Sequence, residues 1–302
     1  VGRVGQPFTD MSMRILYGFF YALTCIYMNS CAVHTTPTHV YILPGNPGAP
    51  DLYIGTKQSI ARITGIPLEN IVTGIHPGQT VSCVIANPDM YMSMQQLIQY
   101  HTDELVRIGN EWIESTGDTR IHIMAHSMGC HMCVEILANL ERIGAPILQH
   151  IMGVQLVAPV MWNAKDIPCG RAMNSWKQSA LYAVVQFANW VPTAVAQLIE
   201  VAPPHHGILQ FWHPTVLRNM IRIWDDIASE VRDTKILSED MMRRITVVCA
   251  TRDEWTPPYV RDHYRQWCGA GTYLETNQIG HSYCLYDAEN DWVVSRCMVS
   301  VR

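Results

Sequence analysis

The run Ile121-His-Ile-Met-Ala-His-Ser-Met-Gly-Cys130 sets an apolar strand, a sharp turn and a helix start around one serine. That order limits the folds open to the chain. Ala125-His-Ser-Met-Gly129 is a GxSxG nucleophile elbow with Ala125 in the first glycine place, and such an elbow lifts the serine hydroxyl clear of the strand on a strained turn. Small residues stand two positions to either side of Ser127, at Ala125 and Gly129, because larger ones would clash there. A serine hydroxyl is a poor nucleophile until a base takes its proton, and the oxyanion that follows needs waiting N–H donors. Met128, next in sequence and at a helix N-terminus, offers one such N–H.

Three further segments supply what the elbow needs, in the order serine, acid, histidine, with a turn upstream. His39-Val-Tyr-Ile-Leu43 reads as a buried strand running into Pro44-Gly-Asn-Pro-Gly48. Pro44 and Pro47 have no N–H, so Gly45, Asn46 and Gly48 are the donors left, and Asn46 is the expected second oxyanion donor by position. Ile245-Thr-Val-Val-Cys-Ala250 is a β-branched run followed by Thr251-Arg-Asp-Glu-Trp-Thr-Pro-Pro258. Asp253 lies just past that strand, and Glu254 beside it is expected to point the other way. Pro257 and Pro258 open the next helix. Of the 13 histidines, His281 in Gln278-Ile-Gly-His-Ser-Tyr283 stands out. It falls between the strand-like Thr272-Tyr-Leu-Glu275 and the last helix, where a general base for Ser127 belongs. His126 reads as a packing residue of the elbow.

The alternation of elements predicts an α/β protein. Strands at 39 to 43, 70 to 75, 120 to 125 and 154 to 158 alternate with helices near 53 to 64 and 92 to 115 and with one from Met128 to Gly144. Such a pattern makes a mostly parallel, doubly wound sheet with helices between its strands. Between about 160 and 240 the alternation stops, over a span too long for a plain connection. A helical cap is expected there. From Gln178 to Ile199 there is no charged residue, and Trp176, Trp190, Trp212 and Trp224 fall in the same region. These suit cap helices packed on the mouth of a site, or an apolar lid seated at a lipid interface, and a lid that covers the site in water and opens on lipid satisfies both. Pro192 argues against a straight membrane span.

Composition fits a greasy protein. Charged residues make up 16% of the chain, below the roughly 25% usual in soluble domains. The net charge of -5 is dispersed, with no basic patch, so nucleic acid is not an expected partner. The 10 cysteines fall mostly inside strands and helices and read as small buried hydrophobes in a reducing compartment. Cys130 and Cys133 have CxxC spacing but no second pair at zinc-site distance, so no metal site is read there.

Pro44-Gly-Asn-Pro-Gly48, Gly74-Ile-His-Pro-Gly78, the elbow, Pro168-Cys-Gly-Arg171, the acid turn and the Ile279-Gly-His-Ser-Tyr283 turn together resemble the lipid droplet-associated hydrolase family of the α/β-hydrolase superfamily. The similarity covers about residues 38 to 300. It implies Ser127 as nucleophile, Asp253 as acid and His281 as base, with the cap following the sixth strand of that fold. It further implies a lipid ester as substrate, at a lipid droplet or at the cytoplasmic face of the endoplasmic reticulum membrane, and calls for no metal or organic cofactor. The chain departs from the family pattern at its start. Where the family places a first hairpin, residues 1 to 37 contain the near-apolar run Ile15 to Met28. That run is short for a span and suits a signal-type core or a membrane-associated segment, and Ser30-Cys-Ala32 resembles a cleavage site. A carboxylic ester hydrolase is the expected activity. The rival expectation is a lipid-surface protein that keeps this fold without catalysis; an epoxide hydrolase or dehalogenase would carry an aspartate where Ser127 stands.

Overall fold

The computed structural model describes residues 38–173 and 213–298. The expected leader over 1–37, the uncharged stretch over 178–199, and residues 176, 190 and 212 lie outside the described residues. β1 (Thr38–Leu43), α1 (Ile54–Thr64), β2 (Ile71–Thr73), α2 (Val81–Ala86), α3 (Met94–Thr116), β3 (Arg120–His126), α4 (Met128–Ile143) and β4 (Ile151–Val157) form the first stretch. After them come α5 (Pro168–Met173), α6 (Pro214–Glu230), α7 (Glu239–Arg243), β5 (Ile245–Ala250), α8 (Pro258–Cys268), β6 (Thr272–Thr276) and α9 (Asp287–Cys297).

The strands make one sheet in the order β2-β1-β3-β4-β5-β6. Every pair is parallel. A parallel sheet is covered on both faces, so its strands carry apolar residues at successive positions rather than alternating with polar ones. The pleat sorts them. Tyr41, Leu43, Ile121, Ile123, Val154, Leu156, Val247 and Cys249 face the core beneath α3, α4 and α8. Val40, Ile42, Met124, Val157, Val248 and Ala250 face the second core, which holds buried residues of α1 and α9. The doubly wound α/β arrangement expected from the sequence is the one observed.

Local signals set the helix ends. Ser93 accepts from the Gln96 N–H while the Gln96 side chain accepts from the Ser93 N–H, a reciprocal cap that starts α3. α4 stops at Gly144, whose φ of 62° a glycine adopts without penalty. Pro258 occupies the first turn of α8. Two expected strands have different bounds. β2 is confined to Ile71–Thr73, and the Gly74 N–H makes the last ladder bond to β1, to Ile42 O at 2.9 Å. β4 starts at Ile151 and ends at Val157, since Ala158 takes φ 48° and leaves the extended conformation.

The irregular segment follows β4, the fourth described strand. The expected place after the sixth strand is corrected: among the described residues the segment lies between the fourth and fifth of the six strands, because the chain leaves the sheet at Ala158 and rejoins it at Ile245. α6 is the cap element in view. It buries Val216, Ile221, Ile223, Trp224 and Ile227 on one side, a helical stripe packed as core. Trp224 is 4% exposed and does not face outward as a lipid anchor would. Six of the eight described cysteines are buried and none is in a disulfide.

Candidate active site

The elbow is built from strain held by close packing. Ser127 has φ 55° and ψ −123°, a conformation that side-chain-bearing residues rarely adopt. Its backbone is fixed on both sides. The Ser127 N–H donates to Val157 O at 3.1 Å, and Ser127 O accepts from the N–H of Cys130 and of Val160. Gly129 lets the helix start approach β1, because a Cβ there would lie 2.4 Å from Pro44 O and 2.5 Å from Leu43 O. Gly45 is equally constrained, with a Cβ placed 2.9 Å from the Ser127 Cβ. Gly45 and Gly129 thus serve one contact, between the end of β1 and the elbow.

Three expected side chains meet here. Ser127 Oγ lies 2.9 Å from His281 Nε2. His281 Nδ1 lies 2.8 Å from Asp253 Oδ2. The Asp253 side chain is fully buried, and its other oxygen accepts from the Trp255 N–H at 2.8 Å. A carboxylate so placed keeps the proton of His281 on Nδ1 and leaves Nε2 free to accept from the serine. Glu254 is exposed and takes no part, as expected.

The N–H groups sort themselves by occupancy. In the turn after β1, the Gly45 N–H donates to Tyr53 Oη at 2.9 Å and the Gly48 N–H donates to Gln79 Oε1 at 2.7 Å. Among the described residues the N–H of Asn46 has no partner, and neither has that of Met128. These are the two N–H groups singled out in sequence. The side chain of Asn46 is held away by donation from Nδ2 to Met220 O at 3.0 Å.

His126 does more than pack. Tyr53 Oη lies 2.7 Å from His126 Nδ1, and His126 Nε2 lies 2.7 Å from His281 O. Tyr53 already accepts from Gly45, so it donates to Nδ1, and the His126 proton sits on Nε2 and is donated to the His281 carbonyl. Burial, with the neighbouring His281 second, pushes the His126 pKa down to about 3. A neutral imidazole therefore joins the turn after β1 to the backbone of the histidine loop. The Gly280 N–H donates to Glu289 on α9 at 2.8 Å and ties the same loop from its other side.

A cavity of about 210 Å³ opens at Ser127, walled by Leu217, Ile221, Trp224 and Ile227 of α6 and by Trp255. Trp255 packs between Trp224, at 4.9 Å between ring centres, and His281, at 5.9 Å. Sequence reading missed Tyr53 and Trp255, and for Tyr53 nothing local marks it. Among the described residues no group of three or more His, Cys, Asp or Glu is placed to hold a metal ion.

A model of the lipid-droplet associated hydrolase family matches residues 36–284. The chain belongs to that family. A curated family member, the lipid droplet-associated hydrolase of Drosophila melanogaster, is 22% identical over 274 residues, covering 86% of this chain and 88% of the relative. Solved structures share the fold. An alpha/beta hydrolase fold protein from Burkholderia ambifaria aligns with a TM-score of 0.54 at 16% identity, over 86% of this chain and 90% of the other. The 2-hydroxy-6-oxo-6-phenylhexa-2,4-dienoate hydrolase of a Rhodococcus strain aligns with a TM-score of 0.55 at 15% identity, over 86% and 90%. Family membership accounts for the α/β-hydrolase fold, and no described helix is long and apolar enough to cross a membrane.

Proposed function

We propose that the protein is a serine hydrolase of carboxylic esters, acting on neutral lipid esters at a lipid droplet or membrane surface. The observation that carries this reading is the continuous chain Ser127 Oγ, His281 Nε2, His281 Nδ1, Asp253 Oδ2, with steps of 2.9 Å and 2.8 Å. Ser127 Oγ attacks the acyl carbon as its proton passes to His281 Nε2. The carbonyl oxygen becomes an oxyanion held by the Met128 and Asn46 N–H groups, which have no other described partner. His281 then gives the proton to the departing alkoxy oxygen. The alcohol leaves and Ser127 stays acylated. Water, deprotonated by the same imidazole, releases the carboxylic acid and restores the serine. Asp253 keeps its charge throughout and stabilises the imidazolium.

The lipid assignment rests on the uncharged, tryptophan-walled cavity and on the family's name. The test is hydrolysis of a long-chain ester in detergent and on lipid-coated droplets. The proposal expects activity in both, faster on droplets, and a loss of about 10⁴-fold or more in Ser127→Ala. Droplet binding by wild type with no hydrolysis under either condition would favour a lipid-surface protein without catalysis.

A further inference from the structure

Ser127 lies where two cavities meet, each of about 210 Å³. Asn46, Ser127 and His281 line both. The first lobe runs beneath α6 and touches Met128. The second is lined by Leu52 and Tyr53 and by Cys284 and Leu285, none of which touches the first. Among the described residues no Asp, Glu, Lys or Arg lines either lobe.

An ester has two arms on its reacting carbonyl, and two apolar lobes at one nucleophile match that shape. We infer that the protein selects esters with an uncharged apolar arm on each side, the acyl arm beneath α6 and the alcohol arm between Leu52 and Leu285. The inference rests on the serine hydrolase reading above. The direction follows from the proton path. The carbonyl oxygen sits at the Met128 and Asn46 N–H groups, and Met128 lines only the first lobe. The alkoxy oxygen must leave toward the histidine loop, and the second lobe continues along Ser282, Cys284 and Leu285 of that loop.

Size sharpens the class. At about 30 Å³ for each water-sized group, one lobe holds roughly seven carbon-sized groups. An arm of up to about that length fits either lobe, methyl leaves most of the second lobe unfilled, and a sterol ring system exceeds it. An arm charged close to the carbonyl is rejected, since burying its charge without a partner is heavily unfavourable.

The experiment measures kcat/KM for butyl esters of butyrate, octanoate and palmitate, and for octanoate esters of methanol, butanol and cholesterol. It uses the full chain and two variants at half-buried wall positions, Leu217→Trp and Leu285→Trp. Wild type is expected to prefer octanoate and butanol. Leu217→Trp shifts acyl preference toward butyrate by roughly tenfold or more with the alcohol ranking kept, and Leu285→Trp shifts alcohol preference toward methanol by a similar factor with the acyl ranking kept. Leu217→Ala and Leu285→Ala, which enlarge the lobes, shift the same two rankings the other way and guard against a variant that fails to fold. Cleavage of cholesteryl octanoate as fast as butyl octanoate overturns the inference, as does a variant that moves the other series or neither. Wild type that reacts with a fluorophosphonate yet ranks no ester sinks the two-lobe assignment alone. Wild type that neither reacts nor cleaves any ester sinks the serine hydrolase reading beneath it.

Discussion

Tyr53 joins parts of the site that are far apart in sequence. Its hydroxyl accepts from the Gly45 N–H and donates to His126, which in turn donates to the carbonyl of His281. Removing that hydroxyl leaves two buried polar groups without partners, at a cost of about 1–3 kcal/mol for each group. Tyr53→Phe is therefore expected to lower the melting temperature and to reduce kcat for a small ester by roughly tenfold or more as the turn and the histidine loop loosen. Unchanged kcat and unchanged melting would mean the connection has no mechanical role. None of this was legible in the sequence, because Tyr53 and His126 stand 73 positions apart. Ser127, Asp253 and His281 were legible for the opposite reason. Ser127 and Asp253 follow strands in turns whose residue types are dictated locally, by Ala125 and Gly129 at the elbow and by a proline-started helix, and His281 is marked by its place between the last strand and the last helix.

At the scale of elements, the contact between the end of β1 and the start of α4 decides whether the site exists. Both chains approach until only glycine fits. In Gly129→Ala the added methyl would lie 2.4 Å from Pro44 O, so the helix start and the turn must separate. Expected outcomes are a loss of stability of about 1–3 kcal/mol, as for overpacking elsewhere, and a larger fractional loss of activity, because Met128 and Asn46 sit on the two sides of that contact. Urea unfolding and ester turnover on the same preparation check this, and a variant with wild-type values in both would refute it. The need for a glycine there was visible in the motif; its partner was not. α6 shows the converse. Trp224 suited a cap helix at the mouth of a site, yet only the fold reveals that Leu217, Ile221 and Ile227 join it in walling the cavity at Ser127.

For the whole molecule, two cores divided by one parallel sheet leave little room for charge. Histidines caught inside stay neutral. Burial lowers His122 and His131 to about 4 and His126 to about 3, from 6.5. Between pH 6.5 and about 4 the unfolded chain binds protons at these three sites that the folded chain does not, so stability falls as pH falls. Each histidine contributes about 1.4 kcal/mol per pH unit through that window, against a total stability of about 5–15 kcal/mol. The urea midpoint is expected to drop clearly between about pH 7.5 and about pH 5; a flat midpoint would mean these side chains open to water in the native state. Overall architecture was readable because apolar runs separated by helices of opposite pattern admit few arrangements. The bounds of β2 and β4 were not, since they depend on where the chain turns off its neighbours.

The central claim is that Ser127 is a nucleophile activated by His281. It is tested most directly by exposing the intact protein to a fluorophosphonate and locating the adduct by peptide mass spectrometry. The account predicts one phosphonylated residue, Ser127, with labelling abolished in Ser127→Ala and strongly slowed in His281→Ala. An unlabelled wild-type protein, or an adduct on another serine that persists in Ser127→Ala, would contradict it.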